Sequence, residues 1–156
     1  MLWRRRLEPI STPVFRAIAR TTRAMTLGVR GLVTDAEGRV LLIEHTYIPG
    51  WYMPGGGVER GETAEHALHR ELIEEAGVEP TERMTLASVH DNGAKFPGDH
   101  VLIYRVGAWR EVPATARGEI HARGWFAPDA LPPETTPSTR RRVAEMLGGE
   151  SPDPLW

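Results

Sequence analysis

Gly56-Gly57-Val58-Glu59-Arg60-Gly61-Glu62, continuing after seven residues into Arg70-Glu71-Leu72-Ile73-Glu74-Glu75-Ala76-Gly77-Val78, is the stretch that decides the fold. Between Gly56 and Val78 lie six acidic residues, carried by one loop and one short helix. Consecutive helix residues are about 100° apart, so positions i, i+3 and i+4 lie side by side. That spacing predicts Glu71, Glu74 and Glu75 on a single face, where like charges repel and weaken an isolated helix. A solvated surface helix tolerates such a face. A hard divalent cation such as Mg²⁺ neutralises it.

The residues ahead of the helix favour the cation. Pro54-Gly55-Gly56-Gly57 is a backbone suited to close approach, because glycine has no side chain and tolerates positive φ. A glycine loop entering a helix N-terminus also presents free N–H groups and a partial positive charge, both of which suit phosphate. Together, loop and carboxylate helix describe a site for a metal-bridged phosphate.

Reading from Gly56, the order is Gly, five residues, Glu62, seven residues, Arg70-Glu71-Leu72, one residue, Glu74-Glu75, one residue, Gly77-Val78. This resembles the complete signature of the Nudix hydrolases, matched at nine specified positions over twenty-three residues. The order of elements around it extends the resemblance to roughly Thr26–Leu147. It implies an α/β protein with an α/β/α sandwich around a mixed β-sheet, acting on a phosphate anhydride.

The whole chain of 156 residues suits one domain with a sizeable core. A net charge of −2 argues against a nucleic-acid coat, and no nucleic-acid partner is expected. The absence of cysteine excludes disulfides and thiolate metal sites and is compatible with a reducing compartment. No apolar run approaches the ~20 residues of a membrane span, and Met1-Leu2-Trp3-Arg4-Arg5-Arg6 is not followed by a signal-like apolar segment, so a cytoplasmic location is the default. Arginine outnumbers lysine 18 to one, a bias that a GC-rich genome also produces.

Three regions are expected. Residues 1–25 read as a basic amphipathic helical extension: Thr12-Pro13 resembles a helix start, Val14, Ile18 and Met25 share one face, and Arg16, Arg20 and Arg23 line the other. Such a helix docks on its own domain, builds a homodimer, or lies on an anionic membrane surface. Residues 26–148 form the main domain. Strands are predicted at Thr26–Val33 and Val40–Ile43, joined as a hairpin by Asp35-Ala36-Glu37-Gly38, then at Met84–His90, His100–Trp109 and Ile120–Phe126. Thr63 is the expected N-cap of the glutamate helix and Gly77 its C-cap, with Leu72, Ile73 and Ala76 turned to the core. A last helix fits Ser138–Leu147, and residues 149–156 read as an irregular tail.

The Nudix resemblance implies roles for particular side chains. Glu71 and Glu75 would be the principal ligands of Mg²⁺ or Mn²⁺, with Glu74 contributing and the Gly55 carbonyl as a backbone ligand. The general base would be a glutamate of the motif, Glu75 or Glu74, or an acid on a later loop, for which Glu119 is the candidate. Arg70 and Glu62 read as organisers of the carboxylates rather than reactants. Gly56 and Gly57 form the phosphate loop. For the group linked to the phosphates, Tyr47, Trp51, Tyr52 and Phe96 are candidate stacking surfaces, and Lys95 is a candidate phosphate contact. His90, His100 and His121 read as structural. The expected substrate is a small nucleotide: a nucleoside triphosphate, an ADP-ribose or a nucleotide-sugar. The alternative is a non-catalytic domain that senses a nucleotide and regulates a partner, against which stands the retention of every carboxylate.

Overall fold

The computed structural model describes residues 24–116 and 118–156. The amphipathic helix expected over residues 1–25 lies outside them, apart from Ala24 and Met25, which carry no regular structure. In chain order the elements are β1 (Thr26–Leu32), β2 (Val40–His45), β3 (Trp51–Tyr52), α1 (Ala64–Glu71) running into a π-helical turn (Leu72–Ala76), β4 (Val78–Pro80), β5 (Thr85–Asp91), β6 (Asp99–Arg105), β7 (Trp109–Glu111), β8 (Ile120–Phe126) and α2 (Pro137–Gly148).

Strands of β-branched and aliphatic residues alternate their side chains between two faces. Leu41 points into a core with Val29, Val33, Tyr104 and the α1 residues Ala67, Leu68 and Leu72, while its neighbours Val40 and Leu42 join Leu32, Val101, Ile103 and Val143 of α2. Each face therefore needs its own helix, and the expected α/β/α sandwich follows. The first sheet, ordered β1-β6-β5, is mixed, because β1 runs parallel to β6 and β5 antiparallel to it. A second sheet is ordered β3-β2-β8 with antiparallel pairing, and β4 pairs with β7.

Two expectations are corrected. The turn at Asp35–Gly38 forms, with Gly38 at φ 76° and its N–H 3.1 Å from the Asp35 carbonyl, but the hairpin is confined to its mouth. Thr34 bridges Val40 there, and β1 and β2 then part into separate sheets. The glycine loop is the cause. Val29 N–H donates to Gly56 O at 2.8 Å, Gly31 N–H to Pro54 O at 2.9 Å and Val58 N–H to Leu27 O at 2.9 Å. With β6 on the other edge, β1 has no edge left for β2. The strand expected over His100–Trp109 also breaks. It ends at Arg105, and Trp109–Glu111 turns away to pair with β4, the Ala108 amide being held by Glu82 Oε1 at 2.8 Å.

The segment after Gly149 has no helix or regular strand, yet it is pinned to β5. Asp91 N–H donates to Pro154 O at 2.8 Å, and Trp156 N–H donates to Asp91 O at 2.9 Å.

Candidate active site

Helix α1 starts where the sequence places it: Thr63 Oγ1 accepts from the His66 amide at 3.1 Å. Gly77 ends the following turn in the left-handed region at φ 66°. Between these caps the helix changes type. A π turn carries more residues per turn than an α-helix, so the side chains after Glu71 rotate out of the register that 100° spacing assumes.

Of the three glutamates expected on one face, Glu71 and Glu75 both meet the glycine loop, while Glu74 turns toward solvent. Glu71 pairs with Arg70 Nη1 at 2.7 Å and lies directly over Gly56, where a Cβ would collide with its carboxylate. Glu74 is half exposed, with Arg70 Nη1 at 3.4 Å. Glu75 turns inward, is only 6% exposed, and accepts from the Gly55 amide at 3.0 Å. Among the described residues, no three acidic or imidazole side chains converge as a ready-made metal cage. Ile73, expected in the core, is only half buried.

Arg70 ties the start of the motif to its end. Its Nε lies 3.2 Å from Glu62 Oε1, and Glu62 Oε2 accepts from the Glu59 amide at 3.0 Å. The Arg70 hydrogen bonds, then the Glu59 amide, hold Glu62 down at about 2. Glu75 moves the other way: burial pushes it up to about 7, against the pull of the Gly55 amide and the Arg30 charge, with Glu71 and Glu119 adding to the rise.

Arg30 is a residue the sequence reading missed. It stands on β1, donates through Nη1 to the carbonyls of Gly55 and Met53, and feels the charges of Glu75 and Glu71. The signal was present in the sequence, since a lone guanidinium sits inside an otherwise uncharged strand that must be half buried. The Gly55 carbonyl retains one lone pair after accepting from Arg30. His45 was missed as well. It is buried, with Nδ1 3.9 Å from Glu75 Oε1 and no hydrogen-bond partner, and burial lowers its pKa.

Glu119 is exposed on the turn before β8, which Thr46 secures by donating its backbone N–H to the Glu119 carbonyl at 2.9 Å. Its charge reaches Glu75, His45 and Tyr47. The loop leading to it is fastened to the π turn, because the Glu74 carbonyl accepts from the amides of Thr115 at 3.1 Å and Ala116 at 2.9 Å.

Two hollows border residues of the motif. Glu75 borders one of about 330 Å³, together with Ala116, Ile120 and His121. Arg30, Gly56 and Gly57 border another of about 450 Å³, which also takes in Tyr52, Lys95 and Phe96. Three of the weaker sequence candidates are thus brought to the loop. Tyr47 is 71% exposed beside His45, within reach of the Glu75 and Arg30 charges but outside the hollow of the glycine loop, and Trp51 packs edge-on against Phe126 at 4.9 Å in the α2-side core. A broader hollow of about 640 Å³, between His66, His69 and Thr81–Met84, includes neither the glycine loop nor Glu71 or Glu75. His90 is wholly buried and His121 exposed.

The NUDIX domain model matches residues 25–147. A Bacillus subtilis (strain 168) relative, named provisionally as an 8-oxo-dGTP diphosphatase, is 30% identical over 80% of this chain and 81% of its own length. The 8-oxo-dGDP phosphatase NUDT18 of Mus musculus is 30% identical over 80% of this chain but only 39% of its own length. Among solved structures, the MutT NUDIX hydrolase from Burkholderia pseudomallei aligns with TM-score 0.66 and 33% identity, covering 78% of this chain and 97% of that one.

Proposed function

The chain belongs to the Nudix family of pyrophosphohydrolases, and on that footing we propose that it hydrolyses a phosphate anhydride in a nucleoside diphosphate linked to another group, with Mg²⁺ or Mn²⁺. The observation that carries this reading is Glu75, a carboxylate 6% exposed and held by a single glycine-loop amide. Its rise to about 7 corresponds to about 3 kcal/mol against the ionised form. A neighbouring cation offsets that cost, and the oxygens of Glu71, Glu75, Glu74 and the Gly55 carbonyl are the donors a hard divalent ion takes. Bound there, such an ion neutralises phosphate oxygens and lowers the pKa of a coordinated water.

The remaining roles follow from the chain's own contacts. Arg70, anchored by Glu62, fixes the Glu71 carboxylate over Gly56. The Gly56 and Gly57 amides and the Arg30 guanidinium bind phosphate oxygens at the mouth of the cleft. Glu119 accepts the proton of the attacking water at its exposed carboxylate. The names of the two sequence relatives make an oxidised purine nucleotide the first substrate to test, followed by ADP-ribose, nucleotide-sugars and dinucleoside polyphosphates. A cytoplasmic location accords with these small soluble substrates.

The test is a metal-dependent hydrolysis screen of the full chain with both variants alongside. Glu75→Gln lowers kcat about a hundredfold or more while the fold is retained, and Glu119→Gln lowers kcat by about ten- to a hundredfold with Mn²⁺ affinity unchanged. A Glu75→Gln rate equal to wild type at saturating Mg²⁺ refutes the assignment. Tight nucleotide binding without phosphate release makes the chain a nucleotide-sensing domain instead.

A further inference from the structure

At the end of the cleft away from catalysis stands a residue that no part of the motif accounts for. Trp156 borders the same hollow as Gly56, Gly57 and the 64% exposed Phe96 ring, while its inner part packs on the α2-side core. The way it is held is unusual. Arg142 of α2 is 0% exposed; its Nη1 donates to the Leu155 carbonyl at 3.0 Å, its Nη2 pairs with Glu145 at 2.7 Å, and its guanidinium carbon lies 5.7 Å from the centre of the indole. Glu145 also accepts from the Asp153 amide at 3.0 Å. Arg141 Nη2 donates to the Trp156 carbonyl at 2.8 Å.

Burying a guanidinium and a carboxylate is a weak way to gain stability, because desolvation consumes most of their attraction. What such a pair does well is fix one geometry. Here the geometry it fixes is the placement of a flat aromatic side chain on the wall of a cleft whose other end carries the glycine loop. A planar, polarisable ring in that place matches the π-face of a base, whichever base it is.

We infer that Trp156 is a nucleobase-stacking residue, and that the Arg142–Glu145 pair positions it through the 153–156 segment. This rests on reading the cleft as a nucleotide site, and concerns recognition rather than the chemical step. Asp91 couples the two parts: it hydrogen-bonds Trp156 through its backbone and leads directly into the loop bearing Lys95 and Phe96.

Calorimetric titration of the full chain in Mg²⁺ with AMP, GMP, CMP, UMP and inorganic pyrophosphate tests the inference without turnover. Trp156→Ala weakens nucleotide binding about tenfold, the loss expected for a stacked base, and leaves pyrophosphate affinity unchanged. Trp156→Phe recovers most of the affinity, and Leu155→Ala, altering a side chain 57% exposed on the same segment, leaves it at the wild-type value. Equal loss of nucleotide and pyrophosphate affinity, unaltered nucleotide binding in Trp156→Ala, or a wild-type protein that binds none of the four nucleotides overturns it. Turnover of the wild-type chain separates the two readings: nucleotide binding that depends on Trp156, with no hydrolysis of any phosphate anhydride in Mg²⁺ or Mn²⁺, counts against the catalytic reading alone.

Discussion

Glu62 and Glu75 are glutamates of one motif driven in opposite directions by their surroundings. Glu62 receives a guanidinium and a backbone amide and stays ionised down to about 2. Its folded-state pKa lies below the unfolded value of 4.5, so its contribution to stability is fully present above that value and is lost as pH falls through the window from about 4.5 to about 2. Melting temperatures recorded from pH 5 to pH 2 should therefore drop more steeply for wild type than for Glu62→Gln. Parallel curves for the two proteins would show that the Arg70 contacts add nothing to the folded state. The sequence marked Arg70 and Glu62 each as an organiser, and the structure joins them as a pair. For Arg30 the sequence shows only a guanidinium inside an uncharged strand, and for His45 not even that; the importance of both comes from which carbonyls and carboxylates the sheet brings beside them.

At the scale of elements, the caps were legible and the helix type was not. Thr63 and Gly77 are local choices, a hydroxyl that replaces a missing acceptor and a residue that accepts φ 66°. The π turn between them depends on long-range partners. Its Glu74 carbonyl takes two amides from the loop at Thr115–Ala116, and the Gly77 carbonyl takes the Val112 amide at 2.9 Å, contacts that no window of sequence displays. The same reason explains why the hairpin was overestimated: a turn signal announces a reversal, but the edge of β1 goes to the glycine loop. Gly77→Ala tests the cap. Besides the left-handed strain, the new methyl carbon would lie 2.6 Å from the Val112 carbonyl. The variant should lose about 2 kcal/mol of unfolding free energy in urea, with faster amide exchange at Ala116. Unchanged exchange there would mean that the turn and the loop are not coupled.

For the molecule as a whole, the two-faced strands made the sandwich readable, since alternate apolar residues require a cover on each side. The buried Arg142–Glu145 pair was not readable, because an arginine and a glutamate three apart on a helix ordinarily face water. Here the 153–156 segment and β5 close over them. Glu145→Leu strands the guanidinium and should destabilise the protein by about 3 kcal/mol in urea unfolding. Replacing Arg142 by Met in the same background should recover most of that loss. A double variant no more stable than Glu145→Leu would show that the pair itself, rather than the unpaired charge, sustains the fold.

The division of the strands between two sheets has a temporal consequence. The glycine loop rides on β1 in one sheet, while Glu119 is presented at the entry to β8 in the other. The first sheet closes only when Thr26 finds Asp99 across a long span of chain, the kind of contact that forms late. The β2–β8 pairing of Val40 with Phe126 spans still more chain, so a refolding chain can recover its helix and the local β5–β6 hairpin while it is still inert. Activity should return only as the two halves dock, lagging behind the recovery of secondary structure.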